Sequence, residues 1–77
     1  MDSTNQTESL LAFFKALADA NRLKIIGLLA NHSSTVEQLA SQLALTSPTV
    51  SHHLAKLAEA GLVSARAESL RAVVLEL

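Results

Sequence analysis

A chain of 77 residues, 49% hydrophobic and 17% charged, has room for one small domain, given about 100 to 200 residues per domain. Seven acidic residues against six Lys and Arg leave a formal net charge of −1, so no basic tail advertises a nucleic-acid partner and any such binding must come from local arrangement. The absence of cysteine excludes disulfides, thiolate metal sites and thiol nucleophiles together; with two Phe and no Tyr or Trp, the core must be built from Leu, Ile, Val and Ala.

Asp2 to Glu8 is polar, and residues 1–8 are expected to form a flexible N-terminal segment ahead of one domain over 9–77. From Glu8 to Leu17 the residues Leu10, Phe13, Phe14 and Leu17 recur at the spacing of one helical face. Leu11 and Ala18 widen that stripe beyond what a single core needs, and two adjacent phenylalanines cannot both point inward, so part of this helix is expected to serve dimerisation. Asp19 is the expected N-cap of a second helix. Its Leu23, Ile25, Ile26, Leu28 and Leu29 make it apolar nearly all round, which marks the central helix. His32 falls in the polar connection Asn31 to Ser34, and no ligand role is assigned to it.

Thr35 followed three residues later by Gln38 reads as a capping box opening a short third helix with Val36, Leu39, Ala40 and Leu43. After a turn at Ala44 to Thr46, Ser47 is expected to cap a fourth helix with Pro48 at its first position. That helix runs to Ala60 and stops at Gly61, a residue able to take the left-handed conformation that ends helices. The period then changes to two. Val63, Ala65 and Ala67 alternate with Ser64, Arg66 and Glu68, and Arg71, Val73 and Leu75 alternate with Ala72, Val74 and Glu76, which predicts a β-hairpin. With neither Gly nor Asn near Glu68-Ser69, a longer connection is expected there in place of a tight two-residue turn. The apolar residues just before Leu77 stop abruptly, as in a trimmed chain or a domain cut from a longer protein.

The expected architecture is therefore mainly α with a small β-hairpin: a winged helix-turn-helix, with a three-helix core, a recognition helix at Ser47 to Ala60 and a β-wing. With Val50 as origin, Leu54, Leu57 and Ala58 fall within about 80° and define the buried face of the fourth helix. Thr49, His52 and Lys56 lie opposite, between about 200° and 260°, with Ser51 on the flank near 100°. Small hydrogen-bonding side chains on the N-terminal half of a helix suit a major groove, where donors and acceptors on base edges are read at close range. His53, about 60° from Val50, sits at the boundary, where packing and a contact to DNA phosphate are both open. His52 reads as a base or phosphate contact, against the alternative of a solvated helix residue.

Residues 1–21 hold Asp2, Glu8 and Asp19 against Lys15, which keeps acidity away from this surface. Lys56, Arg66 and Arg71 supply the expected phosphate contacts, with backbone N–H donors at the helix starts Ser47 and Thr35; for the two arginines, simple solubilisation of the hairpin is the alternative. The candidate DNA-binding set is Ser47, Thr49, Ser51, His52, His53, Lys56, Arg66 and Arg71. Roughly three to five neutralised phosphates per subunit imply modest, salt-dependent affinity and a need for two subunits. Adjacent His52 and His53 diverge on the helix and cannot both chelate one ion in the i, i+4 manner, so neither metal nor cofactor is expected. The chain has no glycine-rich phosphate loop and no paired acid and base, so no catalytic role is assigned. No run reaches the roughly 18 apolar residues of a bilayer span, and a cytoplasmic protein without membrane contact is expected.

The run Ala16-Leu17-Ala18-Asp19-Ala20-Asn21-Arg22-Leu23-Lys24-Ile25-Ile26 resembles the opening signature of the ArsR-type winged-helix repressors, with Ala20 and Asn21 as mild departures. Ser47-Pro48-Thr49-Val50-Ser51-His52-His53-Leu54-Ala55-Lys56-Leu57 and the following Ala58 to Val63 resemble the same family's recognition helix and its exit into the wing. Ser69 stands near a usual Gly, and Leu75 where an aromatic residue is common. The resemblance implies a homodimeric bacterial or archaeal transcription regulator, most simply a repressor, that binds double-stranded palindromic DNA and releases it on meeting an effector. The family's thiolate sensor on the third helix would fall near Val36 to Ser41, where no Cys stands, so the effector stays unassigned. Family dimers join the first helix to a fifth helix after the wing; here the first helix is the expected dimer element. The competing expectation is a winged-helix protein-interaction or oligomerisation module, consistent with the near-neutral charge.

Overall fold

The structure, a computed structural model, describes residues 3–67 and 73–76. Four helices are followed by two strands: α1 (Ser3–Leu17), α2 (Ala20–Asn31), α3 (Val36–Leu43), α4 (Ser47–Glu59), β1 (Ser64–Ala67) and β2 (Val73–Glu76). The strands pair antiparallel in the register Ser64↔Glu76 to Ala67↔Val73, which forms the expected hairpin. The connection near Glu68-Ser69 lies outside the described residues.

Local chemistry explains most of the boundaries. The Asp19 carboxylate accepts the N–H groups of Asn21 at 2.8 Å and Arg22 at 3.1 Å, capping α2. At α3, Gln38 N–H donates to the Thr35 hydroxyl and Thr35 N–H donates to the Gln38 amide oxygen, so both halves of the capping box form. Gly61 takes φ +76° after α4, as its place at the helix end requires.

Three boundaries differ from the sequence expectation. The helical conformation of α1 begins at Ser3, ahead of the periodic start at Glu8. The N-cap of α4 is Thr46, not Ser47: its hydroxyl accepts the Thr49 N–H at 3.3 Å, which moves Ser47 and Pro48 into the first turn. At its other end the helix closes at Glu59, with Ala60 as its C-cap. The turn before it is made by Ala44 at φ 56°, a left-handed position usually given to glycine. The Leu45 N–H reaches back to the Ala40 carbonyl at 3.0 Å and closes this turn.

The core comprises Ala16, Ile25, Leu29, Leu39, Ala40, Val50, Leu54, Leu57 and Val63. It gathers around α2, which touches α1, α3, α4 and β2 and is the central helix its composition predicts. Its outer side is nevertheless open, with Leu23 53% exposed. The first helix departs furthest from its pattern. Of its apolar residues Ala16 is buried and Phe13 and Leu17 are half-buried, whereas Leu10, Leu11 and Phe14 are 59%, 51% and 61% exposed. Those three lie within an arc of about 100° on the side turned away from the core. Phe13 and Phe14 meet edge to face, with ring centroids 5.6 Å apart, so one phenylalanine covers the core margin and carries the other outward.

Candidate nucleic-acid interface

The fourth helix is fixed by its apolar side. Val50 and Leu57 are fully buried and Leu54 nearly so, packed with Ile25, Leu29 and Leu39 in the same core. This anchors the rotation of the helix about its axis, and Thr49, His52 and Lys56 are all exposed on the opposite side. The Thr49 side chain is held in addition by a 2.8 Å hydrogen bond between its hydroxyl and that of Thr46. The N-cap that starts the helix thus also orients one of its outward residues. Lys56 Nζ lies 3.9 Å from Glu59 Oε2, an exposed i, i+3 pair that leaves the ammonium accessible.

The remaining expected contacts divide. Ser47 is half-buried in the first turn. Ser51 is exposed, but on the flank facing β1, where it lines an apolar groove with Val36, Leu54, Val63 and Ala65. Ala58, expected in the buried face, is instead exposed and lines the same groove, between α4 and the start of β1. Arg66 is exposed on β1. Arg71 lies outside the described residues.

His53 corrects the expectation that it could join the DNA-facing set. It is buried, 8% exposed, and Arg22 Nε donates to its Nδ1 at 3.2 Å. Asp19 Oδ1 lies 3.9 Å from the same Nδ1, too far for a hydrogen bond. Arg22 also donates from Nη1 to the Lys15 carbonyl at 3.4 Å, so one guanidinium ties the end of α1 to the buried edge of α4. The Arg22 N–H, the strongest influence, holds the Asp19 carboxyl below its ordinary pKa; partial burial opposes this, and the Asn21 N–H, His53 and the Arg22 charge reinforce it.

Arg22 and Thr46 join the site without having stood in the set expected from the sequence. Thr46 had a local signal, a Thr three residues before Thr49 across Ser-Pro. Arg22 had none, since it meets His53 across 31 residues of chain. Among the described residues no group of three or more His, Cys, Asp or Glu side chains is arranged to hold a metal, and no helix is long and apolar enough to cross a membrane.

A regulator named KmtR from Mycobacterium tuberculosis is 45% identical over 53 residues, covering 69% of this chain and 41% of KmtR, so the chain spans less than half of that relative. An uncharacterised HTH-type transcriptional regulator of Methanocaldococcus jannaschii is 45% identical over 62 residues, covering 79% of this chain and 70% of the relative. Among solved structures, the homodimeric winged helix-turn-helix DNA-binding domain of a possible ArsR-family regulator from Mycobacterium bovis superposes with a TM-score of 0.89 at 29% identity. That superposition covers 97% of this chain and 68% of the Mycobacterium bovis fragment, and it shows the winged helix-turn-helix fold. The sequence pattern of the bacterial regulatory protein arsR family matches residues 19–65, a stretch that opens at the Asp19 cap, takes in the whole of α4 and ends in β1. By that match, the chain belongs to the arsR family of bacterial regulatory proteins.

Proposed function

We propose that this chain is the DNA-binding part of a transcription regulator, most simply a repressor, with α4 in the major groove and the hairpin against the flanking backbone. The observation that carries the reading is the exposure of Thr49, His52 and Lys56 on one side of a helix whose reverse is fully packed. Small polar side chains there match base-edge donors and acceptors, and Lys56 and Arg66 match phosphates on either side of the groove. Ser47, Ser51 and Arg71 belong to the proposed contact set at its margins; the buried His53 acts only through the position of the helix. The apolar strip Leu10, Leu11 and Phe14 supplies the surface for a homodimer, in keeping with the homodimeric state of the Mycobacterium bovis domain. Two copies would present two α4 helices to two half-sites and double the modest number of phosphate contacts.

The test is selection of a preferred duplex from a randomised library, followed by titration of variants at several salt concentrations. Lys56→Ala and Arg66→Ala should weaken binding to all sequences and each lower the salt slope by about one. His52→Ala and Thr49→Ala should relax sequence preference at particular base pairs. An unselected library after repeated rounds at low salt, or four variants indistinguishable from the parent, would overturn the reading.

A further inference from the structure

A chain of formal net charge −1 sets three of its six Lys and Arg residues around one cleft of about 290 Å³. Lys15 comes from α1, Arg22 from the first turn of α2 and Lys56 from α4; Glu59 is the one carboxylate among the described lining residues, and Ala12, Ala16 and Ala60 form the apolar wall. Three cations against one acid in the lining leave the cleft positive, an excess that the Asp19 carboxylate behind Arg22 reduces but does not cancel. Like charges brought together from three separate helices repel one another, and an anion seated among them relieves that repulsion.

Two details distinguish this cluster from scattered surface charge. Arg22 is oriented by two neutral acceptors, the Lys15 carbonyl at 3.4 Å and His53 Nδ1 at 3.2 Å, and it has no direct ion pair to a carboxylate, although its charge is felt by Asp19. Asp19, the acid next to it, is engaged by the N–H groups of Asn21 and Arg22. Lys56 has Glu59 as its ion-pair partner, at 3.9 Å and with both side chains largely in water, a contact easily exchanged for a ligand.

We propose that this cleft between α1, α2 and α4 binds a small organic oxyanion, a phosphate ester or carboxylate carrying a short apolar body. A fixed guanidinium fork flanked by two ammonium groups matches the planar or tetrahedral oxygens of such a head group. The volume lies at the small end of ligand pockets, which suits a metabolite-sized molecule whose body rests on the alanine wall. Binding would also draw Lys56 away from the DNA face, which makes the occupant a candidate effector. That regulatory role rests on the DNA-binding reading; occupancy of the cleft does not.

The experiment is an amide NMR titration of the chain, without DNA, using inorganic phosphate and phenyl phosphate against sodium chloride at matched ionic strength. The expected result is saturable shifts at Ala16, Arg22, Lys56 and Glu59, with phenyl phosphate at least fivefold tighter than inorganic phosphate. Lys15→Ala, an exposed substitution whose unchanged spectrum reports an intact fold, should weaken both about tenfold. Shifts that match those of chloride, or that survive Lys15→Ala unchanged, would overturn the site. A DNA titration of Lys15→Ala separates the two sources of phosphate: affinity within twofold of the parent supports a free anion, and a tenfold loss reassigns the cleft to the DNA backbone and overturns the proposal. Because the first titration contains no DNA, its failure would leave the DNA-binding reading to be judged separately.

Discussion

The first and fourth helices carry similar densities of apolar residues and end in opposite situations. In α4 the large apolar residues Val50, Leu54 and Leu57 turn inward and the exposed side is polar, whereas α1 buries Ala16 and leaves Leu10, Leu11 and Phe14 in water. A helix with a satisfied apolar side offers its outer face for hydrogen bonding and charge, while one with an unsatisfied side offers apolar area. This difference is why we propose α4 as the surface for DNA and α1 as the surface for a second copy.

Substitutions on the two helices should therefore separate stability from association. The largest effect is expected from Leu57→Ala, which empties a fully buried site and should lower unfolding free energy by about 2–5 kcal/mol in a denaturant titration. Phe14→Glu, at an exposed site, should weaken dimerisation at least tenfold by sedimentation equilibrium, about 1.4 kcal/mol or more, while the monomer keeps its helical circular dichroism. A dimer unaffected by Phe14→Glu would remove the role assigned to α1.

Smaller effects are expected at the start of α4. Thr46→Ala removes the cap of α4 and should cost about 1 kcal/mol, whereas Ala44→Gly relieves the left-handed alanine and should gain about 1 kcal/mol by the same denaturant titration. Failure of Ala44→Gly to stabilise would mean that the turn geometry differs from φ 56° in solution. The smallest effect is pH dependent. The folded-state pKa of Asp19 is depressed, so its contribution is present above the unfolded carboxyl value and fades as pH falls through the lower folded value. Asp19→Asn should consequently flatten the acid limb of the stability profile, the parent and variant converging at low pH.

Much of this fold was legible in the sequence because its signals are local. The Thr35–Gln38 capping box, the Asp19 cap, the stop at Gly61 and the change of period into the hairpin each depend on residues a few positions apart. The outward set Thr49, His52 and Lys56 followed from the angular spacing of Val50, Leu54 and Leu57. What escaped the sequence depends on neighbours brought in by tertiary structure. His53 lay at a boundary angle that Arg22, 31 residues away, resolves inward. Ala58 shared the azimuth of the core and still faces the groove before the hairpin. The stripe on α1 has the right period for a core helix, and periodicity does not say how much partner surface the domain supplies.

Whether DNA meets the outward side of α4 is read without intermediaries by amide NMR of the chain with a selected duplex. The predicted result is perturbation concentrated at Thr49, His52, Lys56 and Arg66, with Leu10, Leu11 and Phe14 undisturbed by the duplex. Perturbation confined to α1, with α4 silent at saturating DNA, would contradict it.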